Sequence, residues 1–161
     1  MKLGPPDSHH LNAAQGWLEL GDINEAKADL DRVRHEFRHL PEVLEVRWQI
    51  AAKQHKWNEC VEIAVQIVDR APKRESGWIQ RSYALHEMKR TREALDCLLP
   101  ATGLFPDNWL IQYNLACYCC QLDEPERALV FLAHACRLGD SKEIKAMALN
   151  DSDLKSIWSR I

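Results

Sequence analysis

Apolar positions along this chain recur at helical spacing, and the recurrence itself repeats. Four segments share one form: Gly21-Asp22-Ile23-Asn24-Glu25-Ala26, His55-Lys56-Trp57-Asn58-Glu59-Cys60, Lys89-Arg90-Thr91-Arg92-Glu93-Ala94 and Asp123-Glu124-Pro125-Glu126-Arg127-Ala128. Their last, small residues fall at 26, 60, 94 and 128, in three equal steps of 34. The neighbours keep step, with Leu30, Ala64, Leu98 and Leu132 four residues on and Val33, Ile67, Ala101 and Ala135 three further, which is the spacing of one helix face. A second apolar periodic stretch lies upstream of each small residue, with turn and capping residues between the two. Each unit therefore predicts a helical hairpin.

Local signals punctuate the hairpins. Gly21 can take the left-handed conformation that ends a helix, and Asp22 with Glu25 reads as a capping box opening the next. Asp123 and Glu126 read as a second such box, with Pro125 tolerable in a first turn, where its missing N–H goes unused. Pro72 and Pro106, again 34 apart, stop the second helices of units two and three, and Pro41 is a displaced variant of the same signal. After Gly139 the pattern changes. Ser141 is expected to cap a helix to about Leu149, and Asp151 or Ser152 a final one with Leu154, Ile157 and Trp158 on its buried face. Residues 141–161 then cap the apolar end that the last unit of a stack exposes.

This pattern resembles the tetratricopeptide repeat (TPR) family, whose units are 34-residue helical hairpins. The resemblance covers about residues 7–140, as units 7–40, 41–74, 75–108 and 109–140, followed by the cap at 141–161 in one repeat domain. The family's small residue of the first helix falls on Ala14, Ser82 and Ala116 but on Trp48 in unit two. Its large residue three positions later falls on Trp17 and Leu85, and more weakly on Ala51 and Cys119, and its early Trp is kept at Trp78 alone. The resemblance implies an all-α, right-handed α-α superhelix, an α-solenoid of four helical hairpins plus C-terminal capping helices. It also implies a non-enzymatic protein-interaction module or scaffold whose first helices line a concave groove.

Those lining positions are polar and acidic in the N-terminal half, as at Gln15, Glu42, Glu45 and Gln49. In the C-terminal half they offer apolar and aromatic anchors of the kind that dominate binding energy. The expected partner-binding residues are Ile79, Tyr83, His86, Leu110, Tyr113, Asn114 and Cys117, and an extended or helical apolar peptide is the expected guest. Asn114 holds the family's peptide-backbone position. Members that grip acidic chaperone tails also need Lys and Arg on the following first helices, where this chain has Gln80 and Val46, so tail binding of that kind is not expected. A dedicated chaperone of the type III secretion kind, similar in length and layout, is an alternative that dimerisation through an apolar terminal surface would favour.

Composition narrows the partner classes. With 21 Lys and Arg against 24 Asp and Glu, and 9 basic to 12 acidic residues in positions 1–70 against 12 of each afterwards, neither half carries the basic footprint of a nucleic-acid binder. No apolar run approaches the roughly 20 residues of a membrane span. Residues 1–10 have no signal-peptide pattern, and the six cysteines sit in helical segments rather than in a stapled loop framework. The expectation is a cytoplasmic protein with reduced thiols, a monomer or weak homodimer, with an unidentified protein or peptide as partner and neither nucleic acid nor membrane.

Two motifs carry possible chemistry. His35-Glu36-Phe37-Arg38-His39 spells H-E-x-x-H, in which two His one helical turn apart bind zinc and Glu activates water. A zinc-dependent hydrolase is therefore the alternative from another class. However, the pentad is expected in the last turn of a second helix, and Glu42 and Glu45 stand where the metzincin extension needs Gly and His. Cys117 and Cys120 share a helix face but lack a second ligand pair, and Cys60 occupies a packing position, so cysteine is read as a small hydrophobe. No phosphate loop or nucleophile elbow occurs. The expectation is no enzyme, no catalytic residue, no metal and no cofactor.

Overall fold

The computed structural model describes residues 3–161, and among them the secondary structure is entirely helical. The first helices are α1 (Asp7–Glu19), α3 (Pro41–Lys53), α5 (Glu75–Glu87) and α8 (Trp109–Gln121). The second helices are α2 (Ile23–Arg32), α4 (Trp57–Arg70), α6 (Thr91–Leu98) with its continuation α7 (Ala101–Leu104), and α9 (Pro125–Leu138). First helices start at 7, 41, 75 and 109 and second helices at 23, 57, 91 and 125, so the 34-residue period of the sequence is a period of the backbone.

The turn inside each hairpin shows why. To reverse direction in three residues, the chain places one residue in the left-handed region, and it does so at Gly21 (φ 80°), His55 (54°), Lys89 (63°) and Asp123 (59°), again 34 apart. The following N–H then reaches back five residues to the first helix: Asp22 to the Trp17 carbonyl, Lys56 to Ala51, Arg90 to Leu85 and Glu124 to Cys119, all at 2.9–3.0 Å. This closes the orphan carbonyls of the helix end in the Schellman manner. Only Gly21 adopts that conformation without steric cost. Lys89 is exposed and its left-handed φ serves the turn alone. Lys89→Gly is therefore expected to raise stability by about 0.5–1 kcal/mol, read as a higher urea midpoint with an unchanged slope.

Several boundaries differ from the sequence reading. Asp22 caps α2 as expected, accepting from the Glu25 N–H at 3.0 Å. Asp123 does not repeat this: it is the left-handed turn residue, equivalent to Gly21, and Glu124 precedes α9 with no side-chain cap. The cap of α10 (Ser141–Ala148) is Asp140, which accepts from the Glu143 N–H, rather than Ser141. Unit three's second helix is cut between Leu98 and Ala101, because Pro100 has no N–H to continue the ladder. The last element, Ser152–Arg160, is a 3-10 segment capped by Asp151, not an α-helix.

The chain gathers into two compact units, one ending at Gln80 and the other starting at Arg81, within α5. The core of the first joins Leu11, Ala14 and Leu18 of α1, Ala26 and Leu30 of α2, Phe37 and Leu40 of the loop, and Val43, Val46 and Ile50 of α3. On α4, Cys60, Ile63, Ala64 and Ile67 are fully buried. Asp7 locks the start of α1 to the end of α2: its carboxylate accepts from the Arg34 N–H at 2.8 Å and from Arg34 Nε at 2.9 Å. The Arg34 hydrogen bonds hold the Asp7 carboxyl below its usual range.

In the second unit α8 lies at the centre. Nine of its thirteen residues are buried, and its apolar positions run around the whole circumference, as a helix covered on every side requires. It packs against α9, α6 and the C-terminal 3-10 segment, while α10 packs on α9. Leu154 and Ile157 of the 3-10 segment are fully buried and Trp158 is half-buried. The expected apolar side of the cap is thus the observed one, although the segment lies along α8 as well as α9.

Candidate interaction surface

The face of α8 that the repeat register assigns to the groove carries Tyr113, Cys117 and Cys120. In the structure this face is covered by the chain's own residues 151–156. The Tyr113 hydroxyl donates to Asp151 Oδ2 at 2.8 Å, and Cys117 Sγ lies 3.6 Å from the same oxygen. Cys120 Sγ and Ser156 Oγ are 2.9 Å apart. From the adjoining end of α5, His86 Nε2 meets Asp153 Oδ2 at 2.9 Å while its Nδ1 meets the Thr91 hydroxyl at 3.0 Å. Gln121 completes the row, its Nε2 donating to the Asp153 carbonyl at 2.9 Å.

Three of the seven expected lining residues, His86, Tyr113 and Cys117, are therefore buried under the C-terminal segment rather than open to a guest. Tyr83 is the exposed one, with 41% of its surface in water. Burial and the Glu87 carboxylate keep its phenol above the ordinary value. Leu110 and Asn114 on α8 are half-buried, as is Ile79, which belongs to the first unit. Sequence reasoning missed Asp151, which it treated only as a candidate helix cap, and Asp153, to which it gave no role. The available signal was an apolar groove stripe on α8, next in the fold to a tail with two Asp followed by Leu154, Ile157 and Trp158.

The two chemical motifs acquire definite settings. α2 ends at Arg32, Val33 is extended, and the H-E-x-x-H pentad lies in a 3-10 turn at His35–Phe37. The expected placement in the last turn of a helix is thus corrected, and His35 and His39 do not share the α-helical face that the zinc motif needs. Phe37 points into the core while His35, Glu36 and His39 are exposed. Among the described residues no group of three or more His, Cys, Asp and Glu side chains is arranged to hold a metal ion.

The cysteines are all free thiols. Burial pushes the Cys60 thiol up to about 11, and burial together with Asp151 pushes Cys117 up as well. A thiol held protonated is a poor nucleophile, so Cys60 serves as a small apolar filler, while Cys117 keeps the S–H that faces Asp151. Among the described residues, no helix is long and apolar enough to cross a membrane.

Comparison with known proteins agrees with this architecture. No protein-family model matches the chain, and none of the curated proteins matches it. Solved structures do. TTC0263, a thermophilic TPR protein of Thermus thermophilus, is 21% identical with a TM-score of 0.78, covering 96% of this chain and 82% of that one. MamA MSR-1 is 21% identical with a TM-score of 0.68, over 83% of this chain and 76% of its own. The APC/C hetero-tetramer Cut9-Hcn1 is 15% identical with a TM-score of 0.73, covering 94% of this chain but 29% of that one. The fold is that of a tetratricopeptide-repeat α-solenoid.

Proposed function

We propose that this chain is a non-enzymatic interaction module that holds a segment of a partner protein against the first helices of its hairpins. The observation that carries this reading is the helical-repeat architecture itself, kept to the residue over four units. A fold of stacked hairpins spends its sequence on presenting surface. Similarity to Cut9-Hcn1, a hetero-tetramer, supports a protein as the partner. Tyr83, the exposed aromatic residue of this face, is the anchor we assign, and Leu110 and Asn114 extend the surface along α8.

The test uses the full chain and a Tyr83→Ala, Leu110→Ala variant, each checked by circular dichroism, as baits in lysate, with the retained proteins identified and their affinities measured. Loss of an aromatic anchor is expected to weaken the partner by at least about tenfold. Retention of the same partner at equal affinity by both baits would move the binding surface elsewhere on the fold.

A further inference from the structure

The C-terminal segment has the character of a ligand. We propose that the face formed by His86, Tyr113, Cys117 and Gln121 is a receptor for an acidic-apolar segment of a partner protein, and that residues 151–161 are its resident, displaceable occupant. The proposal rests on the binding-module reading and names the chemistry of the guest.

The face is a row of donors. Tyr113 Oη and Cys117 Sγ converge on one carboxylate, Asp151, and His86 Nε2 meets a second, Asp153. His86 Nε2 is the donor either in the tautomer whose Nδ1 accepts from the Thr91 hydroxyl or in the imidazolium. Gln121 adds a donor to a main-chain carbonyl of the same occupant. Beyond the two carboxylates, Leu154 and Ile157 are fully buried. The face thus reads the pattern Asp-x-Asp-Leu-x-x-Ile, with carboxylates for orientation and two aliphatic side chains for affinity.

The occupant is held in a way that permits exchange. Asp151, Asp153 and Ser156 reach the receptor through side chains, and Arg160 pairs with Glu126 of α9 only at the solvent-exposed surface. The segment runs as nine residues of 3-10 helix, a conformation with poorer hydrogen bonds that is rarely sustained beyond three or four. It is tethered through the turn at Leu149 and Asn150, so its local concentration is on the order of millimolar and a guest must compete with it. Tyr83, exposed on the same helix as His86, gives a competing segment a first contact outside the covered area.

The decisive measurement is fluorescence polarisation with a labelled peptide reproducing residues 149–161. It is titrated against the full wild-type chain and against the full-length Asp151→Ala, Asp153→Ala variant, whose tethered segment has lost its two carboxylates. The peptide is expected to bind the variant at least about tenfold more tightly than the wild type, and a peptide carrying Asn at both Asp positions to lose at least as much. Equal binding to both chains, or equal binding of the Asn peptide, overturns the proposal. A concentration-dependent dimer of the wild type that the variant does not form also overturns it, by making a second copy the occupant.

Should the variant fail to fold, the wild type still decides. Amides 154–161 are expected to exchange faster than those of α8, and Cys117 and Cys120 to alkylate with iodoacetamide at the rate of that opening while Cys60 stays protected. If residues 151–161 exchange only together with α8, the segment is a fixed part of the core and the proposal falls. The binding-module reading survives that result. Conversely, peptide binding without any effect of Tyr83→Ala, Leu110→Ala on partner capture supports the receptor and removes the surface assigned to Tyr83.

Discussion

Tyr118→Ala is expected to cost the second unit about 3–5 kcal/mol, the largest loss from a single truncation in this chain. Tyr118 is among the largest of the fully buried side chains and sits in the middle of α8, where no neighbour is free to fill the void. Its ring lies 5.0 Å from that of His86 and its hydroxyl 3.1 Å from Ser82 Oγ, so it ties α8 to α5. Tyr118→Phe separates the two contributions: it keeps the ring and removes one hydrogen bond, for a loss nearer 1 kcal/mol. Urea titration followed by circular dichroism gives the size of each effect. Hydrogen exchange at α8 amides shows that the loss falls on the second unit, which matters because two compact units need not unfold as one. Similar losses for Ala and Phe would mean that the hydroxyl, rather than the volume, holds this core.

Tyr118 also marks where sequence reading succeeds and where it stops. The period is legible because each hairpin is built from local signals: a small residue where two helices touch, an apolar face at 4-then-3 spacing, and a turn between. Those signals recur every 34 residues in the sequence and every 34 in the backbone. Within Cys117-Tyr118-Cys119-Cys120 the sulfur atoms draw the eye, yet all three thiols are buried in the unit and the tyrosine carries the structure. One-residue errors at Asp123 and Ser141 arise because any Asp or Ser near a helix start resembles a cap, while only one position has the geometry to use it. Running the third unit's second helix on to Pro106 passes over Pro100, although a proline without an N–H interrupts any ladder.

The candidate surface is less legible for a different reason. The residues that line it follow from the register, but what covers three of them comes from outside the repeat. His86 and Asp153 are 67 residues apart and Tyr113 and Asp151 are 38 apart, neither a multiple of 34, and the 34 between Cys117 and Asp151 ends on a segment that carries none of the repeat's signals. A contact between a repeat and a non-repeating tail leaves no trace in spacing. It can be approached only through complementarity, here between the donors of α8 and two carboxylates followed by aliphatic residues.

Gly77→Val is expected to cost the first unit about 2–3 kcal/mol. Glycine inside a helix is normally a weakness that alanine repairs by roughly 1 kcal/mol. At Gly77 the space decides otherwise. A Cβ there would lie 2.8 Å from Ile67 Cγ2 and 3.1 Å from both Ile67 Cβ and Val68 Cγ2. Ile67 is fully buried in α4 and its Cβ is fixed to the helix backbone, so it cannot swing aside. Even alanine therefore forces α5 away from α4, and valine adds two further methyl groups to the same crowded point. Gly16 in α1 provides the contrast, because a Cβ there meets nothing within 4 Å. Gly16→Ala should gain about 0.5–1 kcal/mol while Gly77→Ala gains nothing or loses. Adding Ile67→Ala to Gly77→Val relieves the clash, so the double variant should be more stable than the sum of the two single losses predicts, by about 1 kcal/mol or more in a double-mutant cycle. Strict additivity would show that α4 and α5 yield around this residue, and the close approach would then not be what keeps position 77 free of a side chain.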